Sequence, residues 1–189
     1  MELLTGVFSA FGLSASAGLN AYIPLLVVSL LAKFTDLIKL HSPWDTLTSW
    51  WVIALLVVLG GIEFFVDKIP AVNHINDILQ TFVRPVAGAI VFAASAKVVT
   101  DLSPILSMIA GLLVAGSVHT VKSVAVRPAL TAATAGVANT PVSIAEDVIS
   151  TFLSILAILI PIIIGIILVL FTSTFIWWKW RKANAAKSI

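Results

Sequence analysis

Long apolar runs, separated by short polar stretches, limit what this chain can fold into more than any other feature. Of its 189 residues, 60% are hydrophobic and 11% are charged, whereas a soluble domain carries about 25% charged residues. An apolar run of about 18 residues or more is long enough to cross a bilayer as a helix. The sequence therefore predicts an all-α fold, a polytopic transmembrane helical bundle that forms a single domain over residues 1–189.

We predict five membrane spans, of which the first and the last are longer than one crossing. They cover residues 3–32, 50–66, 85–99, 105–121 and 148–178. Pro161 interrupts the last span and predicts a kink, because proline removes a helix hydrogen bond. Gly18 and Pro24 interrupt the first span, which is either a kinked helix or a discontinuous helix whose exposed backbone lines a site. In both cases Asn20 offers hydrogen bonds to the backbone groups that the interruption frees.

Two further segments are predicted to lie at or within the membrane without crossing it. Residues 71–83 have one apolar and one polar face, which indicates a helix in the interface or a re-entrant piece lining a cavity. Residues 129–145 are small and neutral, as in a re-entrant loop buried in protein. Ser143 and Glu146 have the spacing of a capping box at the start of the fifth span; alternatively, Glu146 faces an arginine across a cavity.

The charged residues between Gly60 and Pro85 are predicted to form a polar centre. Ionisable groups at membrane depth are costly unless they are paired or hydrated, and by default they mark a functional site. Glu63 and Asp67 lie four residues apart on one helical face, where two carboxylates repel unless a cation lies between them. This arrangement suits a proton carrier or a cation site, and the alternative is structural ion pairing. The candidate ion- or substrate-binding residues are Asn20, Glu63, Asp67, Lys68, Asp77, Arg84, His119, Arg127, Asn139, Glu146 and Asp147.

Several function classes are excluded or disfavoured. Cysteine is absent, which excludes disulfides, thiolate chemistry and cysteine-bound zinc. The chain lacks a metalloprotease His-Glu-x-x-His pair, a nucleophile elbow and a phosphate-binding glycine-rich loop, so we expect no cofactor and favour a non-enzyme. His74 and His119 with nearby acids have the chemistry to bind a divalent metal, but their spacing assigns none. The net charge of +2 is too small to indicate nucleic acid.

The end of the chain carries the clearest orientation signal. Trp177, Trp178 and Trp180 form an aromatic belt that Lys179, Arg181 and Lys182 extend into a basic tail. By the positive-inside rule, we expect a cytoplasmic carboxyl terminus and an outside amino terminus. A bundle of this size rarely encloses a large pathway alone, so a homodimer is plausible.

Several polar motifs occur together in a characteristic order. They are Gly12–Pro24, Ile62–Pro70 with Asp77, Phe82–Gly88, Ala115–His119 and Ser143–Asp147. In this combination the chain resembles a bacterial membrane family catalogued as domain of unknown function 4126, over about residues 3–160. The resemblance implies no particular activity or substrate. It implies that one site contains Asn20, Glu63, Asp67, Lys68, Arg84, His119, Glu146 and Asp147.

The first function hypothesis is a small transporter or channel whose site takes an ion or a small charged solute. Glu63 and Asp67 would bind a cation or carry protons, and Arg84 and Arg127 would balance them or bind an anion. The alternative is a lipid-binding or lipid-translocating protein, in which arginines followed by proline hold an anionic headgroup. An intramembrane enzyme and a structural or assembly subunit are further hypotheses.

Overall fold

A computed structural model describes residues 2–67, 70–95 and 103–185. Within these ranges the chain is helical and has no strand, which confirms the predicted all-α fold. The α-helices are α1 (Glu2–Leu19), α2 (Tyr22–Phe34), α3 (Trp50–Val66), α4 (Pro70–Ser95), α5 (Pro104–Thr120), α6 (Arg127–Thr134), α7 (Asn139–Leu159) and α8 (Pro161–Ala185). A 3-10 helix covers Trp44–Thr48, and a π-helical segment, Val121–Val126, joins α5 to α6.

The first apolar segment is a discontinuous helix. Helix α1 ends at Leu19 and α2 begins at Tyr22. Asn20 Oδ1 accepts hydrogen bonds from the N–H groups of Tyr22 (3.0 Å) and Ile23 (3.1 Å), which are among the first, unsatisfied donors of α2. Pro24 lies in the first turn of α2, where its missing N–H removes no helix bond. The discontinuous alternative is therefore the one that the structure adopts.

Residues 71–83 do not form a separate interfacial or re-entrant piece. They belong to α4, which passes through Pro85 instead of beginning there. Asn76, Gln80 and Arg84 follow each other at four-residue intervals and are all buried. This row of three polar side chains is therefore turned into the protein, where Asn76 donates to Asp67 and Arg84 pairs with Glu63.

Residues 129–145 also differ from the predicted re-entrant loop. The α5, π and α6 segments form one continuous helix over Pro104–Thr134, and Ala135 (φ 51°) and Gly136 (φ 85°) turn the chain into α7. Ser143 and Glu146 lie inside α7, so they form no capping box. Helix α7 ends at Leu159, immediately before the predicted interruption at Pro161.

Helix α1 packs against α2, α4, α5, α7 and α8 and forms the centre of the bundle. Its buried face is built from small residues such as Ala10 and Ala17, which allow close helix approach. Ser16 adds hydrogen bonds across this contact, to Ser150 Oγ (2.8 Å) and Ser154 Oγ (2.7 Å). The core is thus held by close packing and interhelical hydroxyl bonds, the means by which helices associate in a membrane.

The outer surface is apolar. Within the described ranges, three helices are long and apolar enough to cross a membrane, with candidate spans at Ile78–Ser95, Pro104–Thr134 and Asn139–Leu159. Large hydrophobic side chains point outward, for example Trp51 at 88% and Phe65 at 68% exposure. These apolar helices suggest a membrane-embedded protein whose outer face contacts lipid.

Substituting Gly88 by alanine is expected to destabilise the α4–α5 contact. The added Cβ would lie 2.8 Å from the carbonyl oxygen of Gly111 and would also collide with Ala115. Overpacking of this kind costs about 1–3 kcal/mol, which lowers the thermal midpoint measured in detergent. Gly61→Ala is the matched control, because no atom lies within 4 Å of its added Cβ. Equal midpoints for the two variants would contradict the close approach at Gly88.

Candidate functional site

A group of charged side chains from several helices meets beside the break between α1 and α2. We call it the ionic cluster; it comprises Glu63, Asp67, Arg84, His119, Lys122, Arg127 and Glu146. All its members are buried, and Arg84 has no solvent exposure. The cluster therefore concentrates charge inside an otherwise apolar bundle.

Arg84 on α4 lies at the centre of one half of the ionic cluster. Its Nη2 lies 2.9 Å from Glu63 Oε1 and 3.6 Å from Asp67 Oδ2. Its Nη1 lies 3.1 Å from His119 Nδ1. Because a guanidinium can only donate, Nδ1 has to accept, and the neutral imidazole carries its hydrogen on Nε2. Thr81 Oγ1 lies 3.2 Å from that Nε2 and is positioned to accept it.

Glu146 on α7 organises the other half of the ionic cluster. Its Oε2 lies 2.8 Å from Lys122 Nζ and 2.7 Å from Arg127 Nη2. Arg127 also lies 3.7 Å from Asp67 Oδ2, so Asp67 joins the two halves. Lys122 Nζ donates to the carbonyl oxygen of Leu19 (3.1 Å), at the end of α1, where carbonyls lack helix partners.

Neutral side chains hold Asp67 in place between the two halves. Asn76 Nδ2 donates to Asp67 Oδ1 at 2.5 Å, and Ser143 Oγ donates to Oδ2 at 3.4 Å. Asp67 itself follows the last residue of α3, and its N–H bonds the carbonyl of Glu63 at 3.0 Å. The two carboxylates predicted to share a face are thus brought together, with Arg84 between them.

Asn20 connects the helix break to a further carboxylate. Its Nδ2 donates to Asp147 Oδ1 at 3.0 Å, while its Oδ1 caps α2. Asp147 is the neighbour of Glu146 in α7, so the break and the ionic cluster meet on the same turn of that helix.

The electrostatic balance is close to neutral. Among the described side chains, four carboxylates (Glu63, Asp67, Glu146, Asp147) lie near three strong bases (Arg84, Lys122, Arg127). Burying such charges costs several kcal/mol per ion unless each is paired and hydrogen-bonded. Around Arg84, the buried atoms Glu63 Oε2, Gln80 Oε1 and Arg84 Nε have no hydrogen-bond partner within the described part of the chain, and neither does Ser95 Oγ at the end of α4.

Two hollows reach these polar residues from the surface. A hollow of about 490 Å³ lies between α4 and α5 and is lined by Thr81, Pro85 and His119 with Leu112, Leu113, Gly116, Ser117, Thr120 and Val121. A smaller hollow of about 190 Å³ lies against α2 and α3 and ends on Asn20 and Asp147. Both have mainly apolar walls and a polar inner end.

The structure brings most of the predicted site residues together. Asn20, Glu63, Asp67, Arg84, His119, Arg127, Glu146 and Asp147 all meet here. Asn139 does not, because it bonds Thr131 on the exposed α6–α7 turn. Lys68 and the side chain of Asp77 lie outside the described residues, as does the side chain of His74.

Sequence reasoning missed Lys122, Asn76, Gln80 and Ser143. For Asn76 and Gln80 a signal was present, since they precede Arg84 at four-residue intervals. For Lys122 a signal was also present, since it lies three residues after His119 and therefore on the same helical face. No group of three His, Asp or Glu residues in the described ranges is arranged to hold a metal ion. The bases lie against the carboxylates that a metal would otherwise bind.

The π-helical segment explains how both Lys122 and Arg127 reach the ionic cluster. In a π-helix each turn is wider, because residue i is bonded to residue i+5, and this brings two side chains five residues apart to the same side of the helix. In a regular α-helix, five residues advance about 140° beyond a full turn, and Arg127 would point away. The π segment therefore places the second base, and π turns of this kind occur frequently at functional sites.

Deleting Ala125 is expected to leave the ionic cluster intact. Lys122 and the arginine would then be four residues apart in a continuous α-helix, which keeps them on one face. The thermal midpoint in detergent should stay near that of the wild type. Deleting Leu113 in α5 is the control. This deletion turns His119, Lys122 and Arg127 together away from their partners on the other helices, and it should abolish stable folding. An equally damaging Ala125 deletion would contradict this role of the π segment.

Asn20 variants test the contact with Asp147 by the sign of their effect. Asn20→Asp keeps the cap of α2, and an acid at a helix amino terminus usually stabilises by about 0.3–1 kcal/mol. Here it should destabilise, because two carboxylates would face each other. Asn20→Ala should lose about 0.5–2 kcal/mol with the cap. An Asn20→Asp variant more stable than the wild type in thermal melts would show that Asp147 is not its partner.

Comparison with known proteins places the chain in a family. Residues 7–182 match the model of the family described as domain of unknown function (DUF4126). This match extends beyond residue 160, where the resemblance seen in the sequence weakened. No curated protein and no solved structure matches the chain. Since the family model covers nearly the whole chain, the protein belongs to the DUF4126 family.

Proposed function

We propose that this protein is a small membrane transporter or channel, and that the ionic cluster binds its ion or small charged solute. The observation that carries the proposal is the complete burial of Arg84 among Glu63, Asp67 and His119 inside apolar helices. Charges at membrane depth are rare and mark ion or solute pathways and proton relays.

The position of the ionic cluster at a helix break supports this proposal. In many transporters, discontinuous helices place backbone groups and helix ends beside the bound ion. Here the carbonyl of Leu19 faces Lys122, and the amino end of α2 is capped by Asn20. A purely structural role would not require the chain to interrupt its central helix at the same place.

The near balance of acids and bases leaves the sign of the solute open. A cation would compete with Arg84 or Lys122 for their carboxylates, and an anion would compete with Glu63 or Glu146 for their bases. In either case the ion pairs have to separate as the solute binds. The ionic cluster thus represents a closed state in which the protein's own groups satisfy one another.

We also propose the finer location and assembly. The exposed aromatic residues Trp177 and Trp178 near the end of α8, with Arg181 stacked on Trp177 at 5.0 Å, suit a cytoplasmic membrane interface. The amino terminus would then lie outside, in a bacterial cytoplasmic membrane. A homodimer is proposed because one copy encloses little space.

A ligand screen by thermal stability tests the proposed function. Purified protein is melted against monovalent and divalent cations, anions and phospholipids, with Glu63→Gln and Arg84→Ala alongside. A ligand that binds only the folded state stabilises it by about 2.7 kcal/mol at a hundredfold excess over its dissociation constant. We expect one ion or small solute to raise the wild-type midpoint and to have no effect on either variant, and the same variants to lose transport.

Asp36→Asn is the matched control, because Asp36 is an exposed carboxylate outside the ionic cluster. It should keep the full ligand-induced shift. Variants that fold and respond to every ligand as the wild type does would contradict the proposal. Full activity of both Glu63→Gln and Arg84→Ala in a transport assay would do the same.

Lipid binding is the second candidate, and the hollow against α2 and α3 favours it. Its walls include Leu26, Leu56 and Phe64, and its inner end offers the amide of Asn20 and the carboxylate of Asp147. Apolar walls with a polar end suit an acyl chain that carries a hydrogen-bonding headgroup. Stabilisation by one phospholipid alone, unchanged in Glu63→Gln, would favour this candidate over transport.

A further inference from the structure

We propose that the ion handled by this protein is a proton, which enters through the α4–α5 hollow and binds His119. The inference rests on the proposed function and names its substrate. It is carried by three observations in the described chain: the hollow that ends on His119, the position of Arg84 between His119 and Glu63, and two unsatisfied atoms on that same ion pair.

The hollow extends from His119 to the protein surface between α4 and α5. Its volume of about 490 Å³ exceeds the share of one water in the liquid, about 30 Å³, many times over. Hydroxyl groups of Thr81, Ser117 and Thr120 line it beside the apolar side chains. His119 is the titratable residue on its wall, and histidine is the side chain that exchanges protons most readily near neutral pH.

Binding the proton breaks one specific hydrogen bond. Neutral His119 carries its hydrogen on Nε2, towards Thr81, and accepts at Nδ1 from Arg84 Nη1 at 3.1 Å. When Arg84 Nη1 withdraws from Nδ1, a hydronium ion gives its proton to this nitrogen and leaves as water, so that an N–H bond forms and no electrons are exchanged. The new N–H prevents Arg84 from returning, because two donors and two positive charges cannot share this contact.

The same ion pair already holds the atoms for a second arrangement. Glu63 binds Arg84 through Oε1 alone, and Glu63 Oε2 and Arg84 Nε lack partners within the described ranges. Released from His119, the guanidinium can bind both carboxylate oxygens in the two-bond fork that arginine and carboxylates favour. Protonation of His119 therefore changes the hydrogen bonds of Arg84. In the neutral state Arg84 bonds both His119 and Glu63, and in the protonated state it makes two hydrogen bonds to Glu63. Each arrangement satisfies groups that the other leaves unpaired.

Other charged groups set the field at His119. Lys122 follows it on the same helix, and Asp67 and Glu146 face it from α3 and α7. Burial of the ring opposes the imidazolium most strongly, Arg84 and Lys122 also oppose it, and the two acids favour it. Movement of Arg84 towards Glu63 therefore removes the nearest opposing charge, and proton binding and the rearrangement support each other.

A proton fits this site better than a metal ion. In the described chain no three acid or histidine side chains converge on a common point. Lys122 and Arg127 both form ion pairs with one oxygen of Glu146, and Arg84 forms an ion pair with Glu63. A proton needs only one nitrogen, whereas a metal would have to displace several bases at once.

Proton flux into liposomes tests the proposal. Wild-type protein is reconstituted with a pH-sensitive dye inside, and a membrane potential drives the flux. His119→Gln should reduce the flux by about a hundredfold, within the range for a positioned proton-transfer group. His41→Gln is the control, since His41 is exposed and far from the ionic cluster in sequence. Wild-type flux in His119→Gln would overturn the proposal.

A second variant pair keeps the test valid if His119→Gln fails to fold. Gly116 lines the hollow, and a Cβ added there meets only the ring of Pro85, at an ordinary 3.6 Å. Gly116→Ala should therefore reduce the flux only slightly, whereas Gly116→Leu should narrow the hollow beside His119 and reduce the flux at least tenfold while the ionic cluster stays intact. Equal flux in the two variants would overturn the proposed route.

The outcomes separate this inference from the proposed function. Proton flux that is lost in His119→Gln and in Gly116→Leu supports both. No proton flux in the wild type, together with stabilisation by another ion that depends on Glu63, overturns the proton proposal and leaves the transporter proposal standing. Neither proton flux nor any ion-dependent stabilisation overturns both.

Discussion

The desolvation of Arg84 is the constraint on which the rest of the structure depends. A guanidinium with no solvent exposure inside apolar helices is tolerated only if acceptors surround it, because an unpaired buried charge costs several kcal/mol. Glu63 and Asp67 therefore have to lie at the end of α3, and His119 has to face α4 from α5. The side of α4 that carries Asn76, Gln80 and Arg84 faces the interior of the bundle for the same reason, and Asn76 donates a hydrogen bond to Asp67.

Two departures from regular helix geometry converge on these charges. The chain breaks at Asn20, which exposes the carbonyl of Leu19 to Lys122. A π-helical segment, Val121–Val126, turns Arg127 inward. Irregular backbone at membrane depth is tolerated where protein groups satisfy it, and here the ionic cluster does so. The charges and the irregular backbone thus meet at one place, where Lys122 supplies a hydrogen-bond donor to the freed carbonyl of Leu19.

Local sequence rules predicted the helical fold and the helix interruptions near Pro24 and Pro161, because proline and apolar length act within a single segment. They also identified the charged residues that meet, since charge in an apolar run is informative without knowledge of its partner. They failed where the outcome depended on other segments. Residues 71–83 looked interfacial because their partners lie on α3 and α5, and Pro85 looked like a helix start because its surroundings in α4 were unknown.

Two site residues show the same limit. Lys122 was not among the predicted site residues, because nothing in the sequence indicates that the segment Val121–Val126 is π-helical. Asn139 looked like a site residue because it follows a run of small residues, as Asn20 does, yet it only bonds Thr131 on the α6–α7 turn. Composition therefore located the polar residues, and packing decided which of them share a site.

The central claim is that the buried charges serve ion binding and not stability. Replacing a buried ion pair by neutral residues of similar volume is often neutral or stabilising, so the double variant Glu63→Gln/Arg84→Met separates the two roles. The decisive measurement is its thermal midpoint with and without the ion that stabilises the wild type. This account predicts a midpoint at or above the wild-type value and no response to the ion. A large fall in the midpoint with the ion response preserved would contradict it.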